Sequence, residues 1–187
     1  MIRKVPFSAM LAITILTTSL ITGSYYREIN QHLINNFAFD SQSFSLEKFY
    51  TVISMVPFTL NPLSLLGMIV ISLGCFTYEH KFGTLKTIFM FLSTHVSAIL
   101  VILSLAMLNL QIAKNTDIGA SIGLWGVTGA VLGYVKFKKV IFIILVLFCI
   151  FYLLFQPTNL ATIEHPVAFF LGMLYQKFIN IYEKHKK

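Results

Sequence analysis

The chain has 187 residues, 57% of them hydrophobic and only 11% charged, with a mean hydropathy of +0.80. Soluble domains run at about 45–50% apolar and about 25% charged, and one of this length cannot hide so much apolar surface from water. The formal net charge of +7 comes without a basic patch interleaved with groove-reading elements, which argues against a nucleic-acid partner.

A helix that crosses the hydrocarbon core needs roughly 20 apolar residues. Six stretches approach that length, and in chain order they predict an all-α, polytopic membrane protein folded as one domain over residues 1–187. The first, 6–23, follows Arg3 and Lys4. It lacks a small-x-small exit, so it reads as a retained helix rather than a cleaved leader. The long segment 24–61 follows. Its portion Phe49 to Phe58 is amphipathic and aromatic, which suits the outer membrane interface. The second stretch covers 62–78 and the third 87–110. The fourth, 118–135, is rich in glycine. The fifth, 140–155, is nearly all aliphatic and aromatic. The sixth covers 166–181 and starts on Pro166, a helix-start signal that puts His165 at its mouth.

Basic residues orient this bundle. With the N-terminus inside and strict alternation, only Arg27, Lys48 and Lys114 of the 14 Lys and Arg fall outside. Both termini are therefore expected in the cytoplasm, with the positive charge held against anionic lipid. Cys75 and Cys149 sit within apolar runs and read as small buried residues; nothing in the chain has metal-ligand spacing.

The candidate chemistry lies at the outer ends of the fourth and sixth helices. The fourth opens Asp117-Ile118-Gly119-Ala120-Ser121-Ile122-Gly123. Gly119 and Gly123, like Gly129 and Gly133, are spaced for close helix contact. Asp117 suits a helix cap or a role in orienting the site. Ser121, four residues in, is expected about 6 Å below the entrance. The sixth helix opens Glu164-His165-Pro166 and carries the small pair Ala168 and Gly172. Both helices enter from the same side, so Ser121 and His165 share a depth. A serine beside a histidine is the usual activated nucleophile. His95, in the middle of the third helix, is an intramembrane ionisable group, suited either to function or to an interhelical hydrogen bond with another polar side chain.

These residues together resemble the rhomboid family of intramembrane serine proteases, over nearly all of the chain from Phe49 onward. Gly119-Ala120-Ser121 with Gly126 and Gly129 resembles the segment around the family's nucleophile. His165 with Ala168 and Gly172 resembles its last helix. Glu79-His80-Lys81-Phe82-Gly83 resembles the Glu-x-x-Leu-Gly segment after its second helix. Phe49 to Ile53 resembles the interfacial stretch before that helix. The Asp-x-Gly-x-Ser-x-Gly pattern and Thr94-His95-Val96 are most similar to a divergent branch from Gram-positive bacteria, which implies a bacterial plasma membrane.

The resemblance implies a six-helix rhomboid-like bundle in which Ser121 attacks a peptide carbonyl and His165 relays its proton. It implies transmembrane segments as substrates, reached from lipid near the outer face, and no metal or cofactor. The chain departs from the family in three places. Ile122 replaces the glycine after the serine. Leu63 and Gly67 align with the usual oxyanion donors of the second helix. The arginine motif of the first loop is not recognisable. These departures define an alternative, an inactive rhomboid-like protein that binds transmembrane segments of client proteins. A transporter using His95, Asp117 and Glu164 as a proton path would be expected to carry an internal repeat, and none is visible.

Overall fold

The structure is a computed structural model that describes residues 5–40, 45–107, 117–133, 143 and 161–185. The described residues form seven α-helices and no named strand: α1 Pro6–Thr22, α2 Gln31–Phe37, α3 Thr51–Ser54, α4 Pro62–Phe82, α5 Thr84–Met107, α6 Ser121–Leu132 and α7 Ala161–His185. The fifth expected span, 140–155, lies outside the described residues apart from Ile143.

Local sequence sets the helix ends. Helix α1 starts on Pro6 and stops at Gly23, whose φ of 77° is the left-handed stop that glycine adopts without strain. Asn61 caps α4 by accepting from the Ser64 N–H at 2.9 Å. Gly83 alone, at φ 86°, separates α4 from α5. The interval expected as a loop between 78 and 87 is therefore mostly helical, because one glycine suffices to reverse the chain.

Two helices, α4 with 21 residues and α5 with 24, are long and apolar enough to cross a membrane; α1 and α6 are apolar but shorter. Large apolar side chains face outward along α1 (Met10, Ile13, Leu20), α4 (Leu63, Leu66, Val70, Leu73), α5 (Leu85, Phe89, Leu100) and α7 (Phe170, Leu174, Phe178).

Helix α6 is the centre of the assembly. It packs against α4, α5 and α7, while α1 lies on α4. Ten of its twelve residues are buried, as expected of a helix apolar on every side. Its closest neighbour is α7, and glycine makes that approach possible. A Cβ on Gly172 would stand 1.8 Å from the Gly126 carbonyl oxygen, and one on Gly129 would stand 2.0 Å from that of Phe169. The expected close contact is thus present, made by Gly129 and Gly172 from the expected pairs against Phe169 and Gly126. Gly123 faces the Phe91 ring and Gly133 faces Gln176.

Buried polar contacts fasten the other helices. Glu79, near the end of α4, accepts from the Phe7 N–H at 3.1 Å, the Ser8 N–H at 2.8 Å and the Ser8 hydroxyl at 2.6 Å. It thereby serves the free donors at the start of α1. The Tyr78 hydroxyl donates to Gln176 of α7 at 2.6 Å. Ser97 of α5 and Tyr175 of α7 share a 2.7 Å hydroxyl bond.

The segment between α1 and α4 is partly a plug. Phe39, Val52 and Met55 are buried and join a core cluster with Ile99, Ile118, Ile122, Trp125 and Phe169. Phe49, Tyr50 and Ile53 face outward, so the amphipathic character expected of this stretch has one face in the protein.

Candidate functional site

The approach to α6 determines where Ser121 stands. Phe39 and Asp117 form an isolated antiparallel bridge, N–H to carbonyl in both directions at 2.9 Å. Gly119 then turns with φ 130°, and a Cβ there would meet Met68 at 2.0 Å and the Phe58 carbonyl at 3.0 Å. Only glycine suits that backbone and that space. Gly119 is therefore a turn residue and not the helical packing residue its spacing implied.

Helix α6 begins at Ser121, so the serine occupies the first helical position and not a site one turn inside. Asp117 does not cap the helix. The N-cap is Ala120, with no side-chain cap hydrogen bond. The N–H groups of Ser121, Ile122 and Gly123 thus have no acceptor within the helix; the first intrahelical bond runs from the Leu124 N–H to the Ala120 carbonyl at 3.0 Å. Ser121 itself is buried. Ile122 is also buried, within the core cluster.

His165 is not at the mouth of its helix. Helix α7 is already formed at Ala161, and Pro166 lies inside it. Proline cannot donate to the Thr162 carbonyl, yet the helix continues, held against α6 through Phe169 and Gly172. The imidazole of His165 stacks on the indole of Trp125, with centroids 5.7 Å apart and planes inclined by 25°. Trp125 is four residues after Ser121 and so shares its face of α6. Nε2 of His165 is buried and has no hydrogen-bond partner. No hydrogen bond joins it to Ser121, so the expected dyad contact is not closed in this structure.

Three further groups surround this point. Glu164 is fully buried, and neither of its carboxyl oxygens has a hydrogen-bond partner; the same holds for Oδ2 of Asp117. Asp117 interacts electrostatically with Glu164, His165 and His95. His95 donates from Nε2 to the Val52 carbonyl at 2.7 Å and stacks parallel to Phe91; its partner is backbone and not the polar side chain expected. Its Nδ1 is buried without a partner. Among the described residues, no set of three or more His, Cys, Asp or Glu has the arrangement of a metal site.

The expected substitutes for oxyanion donors do not face the serine's approach. Leu63 is 77% exposed, and nothing lies within 4 Å of a Cβ built on Gly67. Met68 is the residue of α4 that meets Gly119. Sequence reasoning assigned no role to Trp125, although its i+4 relation to Ser121 was readable. It assigned none to Phe39 either, and no local signal marks that residue. No family model, curated protein or solved structure matches this chain.

Proposed function

We propose that this chain is a rhomboid-type intramembrane serine protease, a six-span bundle of a bacterial plasma membrane with both termini cytoplasmic. Ser121 would be its nucleophile and His165 its base. The observation that carries the reading is the His165 ring lying on Trp125, one turn beyond a serine at an uncapped helix N-terminus. The long apolar helices α4 and α5 and the outward apolar faces of four helices support lipid as the solvent.

On this reading His165 takes the Ser121 hydroxyl proton through Nε2, the ring atom left without a partner. Ser121 Oγ attacks the peptide carbonyl, and the free N–H groups at the start of α6 face the developing oxyanion. His165 then protonates the leaving amine, and water hydrolyses the acyl-serine by the same relay. The Ser–His contact has to tighten on substrate binding, as such contacts do in many unliganded enzymes.

A second reading is an inactive protein that binds transmembrane segments of client proteins. It is favoured by the absent Ser121–His165 hydrogen bond and by the outward-facing Leu63. Each missing side-chain donor costs on the order of 10²–10³ in rate. A gel assay on a model transmembrane substrate separates the two. Wild type should release a product that Ser121→Ala does not. Equal product from both, or none from wild type, removes the protease reading.

A further inference from the structure

Two contacts join the segment between α1 and α4 to the approach of Ser121. Phe39 and Asp117 exchange N–H to carbonyl bonds in both directions at 2.9 Å, and Asp117 lies one short turn before the serine. The Phe58 carbonyl closes on the Gly119 turn, 3.0 Å from where a Cβ would stand. Around them, Phe39, Val52 and Met55 are buried in one cluster with Ile118, Ile122 and Trp125. Ser121 is only 7% exposed, so part of the protein has to move before a peptide carbonyl meets its hydroxyl.

The described residues differ in how they are fastened. Helix α7 is bound to α6 backbone to backbone at Gly172 and Gly129, and its Tyr175 and Gln176 clamp α5 and α4. The stretches 24–40 and 45–60 are bonded to one another instead. The Ser24 and Thr59 hydroxyls share a 2.6 Å bond. The Ile29 N–H donates to the Leu60 carbonyl at 2.8 Å, and the Tyr50 hydroxyl donates to the Asn36 carbonyl at 3.0 Å. The two stretches thus form one body. His95 ties it to α5 at the Val52 carbonyl, and Phe39 ties it to Asp117. Its buried apolar side chains hold it less firmly than they would in water, because lipid tails receive such groups about as well as the core does.

We propose that this body is a lid closed over Ser121 that opens as a unit, and that Phe39 occupies the backbone edge on which an extended substrate pairs. The N–H and carbonyl of Asp117 accept any extended strand laid beside them. Phe39 brings a main-chain donor, a main-chain acceptor and an apolar side chain. An unwound transmembrane segment brings the same three. One strand at a time fits the edge, so Phe39 competes with substrate. The lid stands on the contacts above; the competition rests on the protease reading. Self-occupancy lowers the fraction of molecules ready to bind, which raises KM and leaves kcat alone.

The test uses the full chain in lipid or detergent. Access is read without catalysis, from the rate at which iodoacetamide alkylates a Ser121→Cys protein; wild type gives the background from the native cysteines. Alkylation should be at least about tenfold slower than in the denatured protein. Adding Phe39→Ala or His95→Phe should speed it at least about fivefold, whereas Phe39→Leu, which refills the core, should stay within about twofold. Amide exchange should rise together in 24–40 and 45–60 and stay unchanged in α6 and α7, a pattern that separates an open lid from an unfolded chain. Alkylation of the Ser121→Cys protein at the denatured rate, or no faster in either added variant, overturns the lid. Exchange that rises in one stretch alone overturns the single body. With Ser121 in place, Phe39→Ala should lower KM for a model transmembrane substrate at least about threefold at unchanged kcat. An unchanged KM, or a loss of kcat alone, overturns the competition and leaves the lid standing. Should wild type cleave nothing, the protease reading and the competition fall together, and alkylation still decides the lid.

Discussion

The His165 imidazole rests on the Trp125 indole at 5.7 Å between centroids, and Trp125 is one helical turn from Ser121. The ring on α6 therefore sets the orientation of the ring on α7. Stacked aromatic pairs contribute about 0.5–1.5 kcal/mol beyond the area they bury. On the proposed protease reading, Trp125→Phe, which keeps a ring, should lower kcat on a model transmembrane substrate by roughly tenfold at most. Trp125→Ala should lower it further and also cost about 3–5 kcal/mol of stability. Parallel thermal unfolding separates the two losses. Full kcat in a folded Trp125→Ala protein would show that the stack does not orient the histidine.

The α6–α7 contact makes a contrast between glycines. Gly172→Ala would drive a methyl group to 1.8 Å from the Gly126 carbonyl oxygen. The helices must separate, at a cost of about 1–3 kcal/mol or more. Gly67→Ala, on α4 with open space around it, should be neutral or stabilise by about 0.5–1 kcal/mol through helix propensity. Unfolding temperatures in one detergent compare them directly; a Gly172→Ala protein as stable as wild type contradicts the packing described.

Glu79 accepts three hydrogen bonds at the start of α1. Glu79→Gln removes the charge and turns an amide donor toward donors. A loss of about 1–3 kcal/mol is expected, with α1 becoming accessible to protease before the rest of the bundle. Ser8→Ala removes only the hydroxyl contact and should cost less. The order of the two variants in a thermal melt is the check.

His95 holds the α3 segment through the Val52 carbonyl. His95→Phe keeps a ring against Phe91 but leaves that carbonyl unpaired, for about 1–3 kcal/mol. Amide hydrogen exchange should rise in residues 45–60 and stay unchanged in α4. Uniform exchange in both proteins would mean that the segment is held by its apolar contacts alone.

Composition and apolar run length were enough to predict an all-helical chain and to locate α1, α4, α5, α6 and α7 within a few residues, because a helix forms wherever apolar side chains and helix punctuation agree over several turns. Pro6, Gly23 and Asn61 are such local punctuation at the ends of α1 and α4. The candidate site was legible only as residue types. Ser121 was placed a turn too deep, and a helix cap was one of the two roles left open for Asp117, because the bridge to Phe39 joins positions 78 residues apart and leaves no mark near either one. Pro166 suggested a helix start, yet backbone contact with α6 outweighs the single hydrogen bond that proline removes. The stack of His165 on Trp125 and the burial of Glu164 are likewise products of tertiary packing. Sequence by itself determined which of the described segments are helical and which residue types are available for chemistry. The tertiary structure decided which of those side chains meet, because the glycine contacts that bring α6 and α7 backbone to backbone set their register, and register is a property of two surfaces and not of either strip of sequence.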